Sequence, residues 1–147
     1  MKIIVASMYE QGHHPLASLA LAAAIRESGH EAQVFDYDRQ ESYDYNLLER
    51  LAGVDALVLS VPMHTASVIA LELLEVTTAA YPTLPTALFG LYATVLGEQK
   101  LPAQVALLAS GETRGDVIAW LSSLATASDS SGGQRISISR TKELVAT

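Results

Sequence analysis

Five short apolar runs, at residues 2–7, 31–35, 56–61, 86–89 and 105–109, alternate with five longer stretches whose apolar residues recur near helical spacing. The runs are rich in Val, Ile, Leu, Phe or Ala and have the length of strands. The stretches between them, 15–28, 43–52, 65–80, a short 93–100 and 113–125, read as helices. Pro15 suits a first helical turn, where its missing N–H has no partner to lose, and Gly29 is a plausible helix stop. Strand–helix alternation at this spacing requires right-handed crossovers and a mostly parallel sheet covered on both faces. The expectation is a three-layer α/β sandwich with five parallel strands in the order 2-1-3-4-5.

Composition agrees with strands buried on both faces. Half of the 147 residues are hydrophobic and 17% are charged, with a mean hydropathy of +0.26. A net charge of −7 argues against nucleic acid or an anionic membrane as a non-specific partner, since either needs a basic surface. The absence of cysteine excludes disulfides, zinc ribbons, thiol nucleophiles and cysteine-ligated iron–sulfur clusters within the chain. The opening Met1-Lys2-Ile3-Ile4-Val5-Ala6-Ser7 is too short for the core of a signal peptide, and no apolar run reaches the ~18 residues of a membrane span. A soluble, cytoplasmic chain is expected.

In a sheet of order 2-1-3-4-5 the topological switch lies between strands one and three, and ligands bind in the crevice at the carboxyl ends there. Residues 8–14 after strand one and 62–65 after strand three should line it, with the turn Gly90-Leu91-Tyr92-Ala93-Thr94 beside them. Leu57-Val58-Leu59-Ser60-Val61-Pro62-Met63-His64-Thr65 runs from a buried strand straight into a helix, so His64 stands at a helix start. It reads either as a ligand contact or as a local hydrogen-bonding residue. The Ser60 hydroxyl donates to a ligand or satisfies a loop carbonyl, and it is not inside a Gly-x-Ser-x-Gly elbow. Gly90 permits positive φ or close ligand approach, or it makes a tight turn; Gly12 poses the same choice.

Other candidates have plain readings. His13 and His14 are adjacent, so their side chains diverge, and no Asp, Glu or His three or four residues on completes a metal site. Ligand contact, capping or exposure is expected of them, and no metal ligands are assigned. His30, after Gly29, reads as a solvent-facing turn residue. The acids from Asp36 to Asp44 read as a solvated loop, because a magnesium site would also need an Asp at the end of strand three, where Ser60 stands. Trp120 reads as core. Neither a dinucleotide-binding nor a Walker glycine pattern occurs. Residues 128–147 read as a Gly/Ser-containing linker and a tail that is mobile or lies along an edge, which leaves residues 1–127 as the domain.

Three junctions together carry a family resemblance. Ile3-Ile4-Val5-Ala6-Ser7 with Pro15-Leu16-Ala17-Ser18-Leu19-Ala20, then Leu59-Ser60 before Pro62-Met63-His64-Thr65, then Phe89-Gly90-Leu91-Tyr92 and Gly111-Glu112-Thr113, resemble the cobalamin (B12)-binding N-terminal domain of B12-dependent radical-SAM proteins. The branch that is most similar carries a cysteine- or selenocysteine-containing C-terminal tail. The resemblance covers residues 1 to about 125 and implies the flavodoxin-like, Rossmann-like B12-binding fold. It further implies a cobalamin site formed by Gln11, Gly12, His13, Ser60, Pro62, Met63, His64, Thr65, Gly90, Leu91 and Tyr92.

Two positions depart from the family pattern. Glu10-Gln11-Gly12-His13-His14 lacks the Asp-x-His-x-x-Gly spacing that supplies a lower cobalt ligand, which implies base-off cobalamin without a protein histidine. Leu91 stands where a further glycine is usual, and it narrows the space for a nucleotide tail. Without cysteines the chain cannot hold the radical-SAM cluster. It is expected to be non-catalytic alone and to be either an excised N-terminal domain or a free-standing relative that works with a separate radical-SAM partner. Two other readings stay open: a cofactor-free protein-interaction module of the same fold, and a small flavodoxin-like flavin binder.

Overall fold

A computed structural model of the chain describes residues 1–7, 16–36, 48–61, 64–90, 93–94, 96, 101–111, 114–126 and 136–140. Among these, six strands form an all-parallel sheet: β1 (Lys2–Ser7), β2 (Glu31–Asp36), β3 (Ala56–Ser60), β4 (Thr86–Phe89), β5 (Val105–Gly111) and β6 (Ile136–Arg140). Their order is β2-β1-β3-β4-β5-β6, so the expected five-strand order is present with one strand added beside β5. The addition corrects the five-strand expectation. Ile136-Ser137-Ile138-Ser139 alternates with period two over too few residues to stand out in a polar segment, and Ile136 is half exposed at the sheet's edge.

Among the described residues three helices accompany the strands, α1 (Leu16–Glu27), α2 (His64–Ala80) and α3 (Arg114–Thr126), and residues 48–50 are helical. On one face Ile3, Val5, Val58, Ala87 and Leu107 pack with Leu21 and Ile25 of α1 and Val117, Trp120 and Leu121 of α3. On the other, Ile4, Leu57, Leu59, Leu88 and Leu108 pack with Leu51 and with Ala70, Leu73 and Leu74 of α2. Residues of β1, β3 and β4 and most of β5 are therefore buried whichever way they point, which is why those runs read as continuously apolar.

Local sequence sets the ends of these elements. Ser18, Leu21, Ala22 and Ile25 are the buried positions of α1, spaced as one helical stripe. The helix closes in a Schellman turn: the His30 N–H donates to the Ile25 carbonyl (3.3 Å) and the Gly29 N–H to the Arg26 carbonyl (3.0 Å). Gly29 takes φ +94°, a left-handed conformation that glycine adopts freely. Between β4 and β5 the register shifts: Thr86 pairs with Val105 but Ala87 pairs with Leu107, so Ala106 is a bulged extra residue. No helix among the described residues is long and apolar enough to cross a membrane.

Leu59 is fully buried in the central strand, so Leu59→Ala should lower unfolding stability by about 2–5 kcal/mol through lost burial and a residual cavity. Equilibrium urea unfolding, read as a lower midpoint at unchanged slope, checks this.

Candidate functional site

Every strand of a parallel sheet ends at the same edge, and the register shows which residues meet there. Asp36, Ser7, Ser60, Phe89, Ala109 and Ile138 form one row across all six strands. Alternation places Ser7 on the face of Ile3 and Val5, the face that α1 covers, and its register partner Ser60 shares that face. Both serines are 1% exposed.

A third hydroxyl belongs to the same layer. Ser18 lies in the first turns of α1, on the stripe that points at the sheet, and is fully buried. Because α1 runs antiparallel to β1, its start lies over the carboxyl end of β1, where Ser7 is. Neither the Ser7 nor the Ser18 Oγ has a hydrogen-bond partner among the described residues. A buried hydroxyl without a partner costs about 1–3 kcal/mol relative to one that is satisfied. The layer between sheet and α1 thus has unfilled hydrogen-bonding capacity at the carboxyl edge.

The turn after β4 is held by backbone contacts. Val61 N–H donates to the Phe89 carbonyl (2.7 Å), Gly90 N–H to the Ala109 carbonyl (2.9 Å), and Ala93 N–H to the Gly90 carbonyl (3.1 Å). Gly90 takes φ +118°, and a Cβ there would lie 2.7 Å from the Val61 carbonyl oxygen and 2.9 Å from its carbon. Positive φ and the approach of the β3 backbone each require glycine, whatever binds nearby. Beyond it, Ser110 on the opposite face meets Thr94, whose N–H donates to the Ser110 Oγ (3.0 Å) while the two hydroxyls lie 2.8 Å apart.

Apolar side chains rim this edge. Leu16 is 73% exposed and Leu19 46% at the start of α1, and Val68 is 49% exposed near the start of α2. Since α1 and α2 cover opposite faces, exposed apolar side chains stand on both sides of this edge.

Of the residues expected at the site, the structure brings Ser60 and Gly90 to this edge, and α2 begins at His64 with Thr65 in its first turn. Gln11, Gly12, His13, Pro62, Met63, Leu91 and Tyr92 lie outside the described residues, as do His14 and the acids after Asp36. Ser7 and Ser18 escape a reading by motif. Their signal is positional: a hydroxyl ending an apolar strand, and another on the buried stripe of a helix. His30 departs from its expected place in solvent, because the Schellman turn folds it back into a half-buried position at the amino edge. Among the described residues, no three His, Asp or Glu side chains gather as a metal ion would require.

Gly90→Ala should destabilise the fold by about 1–3 kcal/mol through positive φ and the clash with Val61. Thermal unfolding measures it, and Gly115→Ala, at a helical position with open space around a new Cβ, is the control.

No family model matches the sequence, and no curated protein matches it. Solved structures do. A cobalamin-binding protein from Desulfitobacterium hafniense DCB-2 superposes with a TM-score of 0.62 at 14% identity, covering 84% of this chain and 58% of that one. A flavodoxin from the domain Archaea superposes with a TM-score of 0.51 at 15% identity, covering 96% of this chain and 85% of that one. At such identities the likeness is one of fold: the chain has the flavodoxin-like α/β architecture.

Proposed function

We propose that the chain is a cobalamin-binding module whose site is the carboxyl edge of the sheet. The observation that carries this reading is the pair of buried, unpartnered hydroxyls of Ser7 and Ser18 in the layer beneath that edge. A cofactor with a polar tail fits them: its polar atoms would satisfy both hydroxyls, and the exposed Leu16, Leu19 and Val68 offer apolar contact to a large, flat ring system. Fold likeness to a cobalamin-binding protein supports the reading, as do the junctions around Ser60 and Gly90.

Ser7, Ser18 and Ser60 would hold the tail, with Gly90, Leu91 and Tyr92 as its further wall. Gln11, Gly12, His13, Pro62, Met63, His64 and Thr65 would border the corrin. When bound, cobalamin supplies methyl-transfer chemistry at its cobalt, and the protein's part is to bind, orient and shield. With no Asp-x-His-x-x-Gly spacing after β1, the bound form is read as base-off without a histidine ligand. With no cysteine, the iron–sulfur core belongs to a radical-SAM partner. A flavin is the second reading, supported by fold likeness to a flavodoxin.

Hydroxocobalamin and, separately, FMN are added to the purified chain, followed by gel filtration with visible absorbance. Co-elution of cobalamin with an altered spectrum is expected; loss of all colour from the protein peak, or retention of FMN alone, overturns the reading. Ser18→Ala separates binding from folding. Removing an unsatisfied hydroxyl should leave the unliganded protein as stable or raise its stability by about 1 kcal/mol, while cobalamin affinity falls about tenfold.

A further inference from the structure

At the other edge of the sheet, where strands begin, a cavity of about 340 Å³ is lined by Lys2, Arg26, His30, Glu31, Ala32 and Gln33. We propose that this cavity binds a phosphate-class oxyanion, either the free ion or a small phosphomonoester.

Charge is the first argument. The chain carries 16 acids against nine Lys and Arg, yet this cavity is lined by two cations, Lys2 and Arg26, against the single carboxylate of Glu31. No carboxylate among the described residues pairs with Lys2 or Arg26. The negative net charge repels anions only over roughly 8–10 Å at physiological salt, so the nearby cations set the local potential.

Preorganisation is the second. Arg26 Nε and Nη2 both donate to the Ala32 carbonyl, at 2.9 and 2.7 Å. That fixes the guanidinium plane and leaves Nη1 and the second Nη2 hydrogen as donors of set direction. The His30 backbone is fixed by the Schellman turn, and its ring Nδ1 lies 3.3 Å from the Met1 nitrogen. The α1 carboxyl terminus, whose partial negative charge opposes an anion, has three of its last four carbonyls engaged. The Ala24, Ile25 and Arg26 carbonyls accept from the backbone of Ser28, Gly29 and His30, and the Ser28 hydroxyl donates to the Ala24 carbonyl (3.0 Å).

Donor geometry is the third. Lys2 comes from β1, Arg26 from α1, His30 from the following turn and Gln33 from β2, so the lining draws its polar residues from four separate segments. A tetrahedral oxyanion can take donors from more than one segment, whereas a planar carboxylate serves one fork. The volume suits phosphate with a few additional atoms.

Isothermal titration of the 147-residue chain with inorganic phosphate, and with glycerol 3-phosphate, at ionic strength held constant with chloride tests this. Saturable binding of either ligand is expected, and Lys2→Gln and Arg26→Gln should each weaken it about tenfold. Tighter binding of the ester assigns the site to phosphomonoesters; equal binding assigns it to the free ion. No saturable heat beyond that of chloride, or binding that survives unchanged in Lys2→Gln, overturns the proposal. Lys2 contributes to folding through its backbone, which Asp55 engages (2.7 and 2.8 Å), so Lys2→Gln stays folded even where Arg26→Gln loses its hold on Ala32. Cobalamin retention by both variants is expected to match the unaltered chain, so the two edges succeed or fail independently.

Discussion

A parallel ladder sealed on both faces governs this molecule. With β1, β3, β4 and most of β5 buried on either side, polar chemistry is confined to the two ends of the strands. Hydroxyls buried in the sheet therefore collect near its limits: Ser7, Ser60 and Ser110 at the carboxyl end, and Thr86 at the amino end of β4. Thr86 is satisfied by the Leu84 carbonyl (3.1 Å) and Ser110 by Thr94. Ser7 and Ser18 find no partner among the described residues, and the proposal of a site at the carboxyl edge rests on that contrast; Thr78 of α2 is a third such hydroxyl.

The turn after β4 shows how tightly this edge is built. Its glycine is fixed by the neighbouring backbone of Val61; the Gly90 N–H donates to the Ala109 carbonyl of β5, the Val61 N–H to the Phe89 carbonyl of β4, and the Thr94 N–H to the Ser110 hydroxyl of β5.

Much of the fold was legible because its physics is local in sequence. The runs at 2–7 and 86–89 coincide with β1 and β4, and Gly29 stops α1 through its φ. The edge strand β6 was not legible, since an edge position demands little burial and its alternation spans only a few residues. Two glycine readings at Gly90 could be separated only by the distance to Val61, a residue 29 positions earlier. Ser7 and Ser18 were invisible for the opposite reason: serine is ordinary at a strand end or in a helix, and only the partnerless state of its oxygen gives it meaning. His30 shows that a turn residue's solvent exposure depends on how the turn folds back, which composition does not encode.

The bulge at Ala106 concerns how the chain can change length. Elsewhere in a strand, losing one residue would turn every following side chain to the opposite layer, trading Leu108 for Ala109 and Ser110 for Gly111. At Ala106 the ladder already carries one residue more than its partner. Excising it would join Val105 to Leu107 in uninterrupted pairing, with Ser110 still beside Thr94. Strand β5 thus has a built-in slack point, through which its lineage could shorten or lengthen without rewriting which side of the sheet each residue serves.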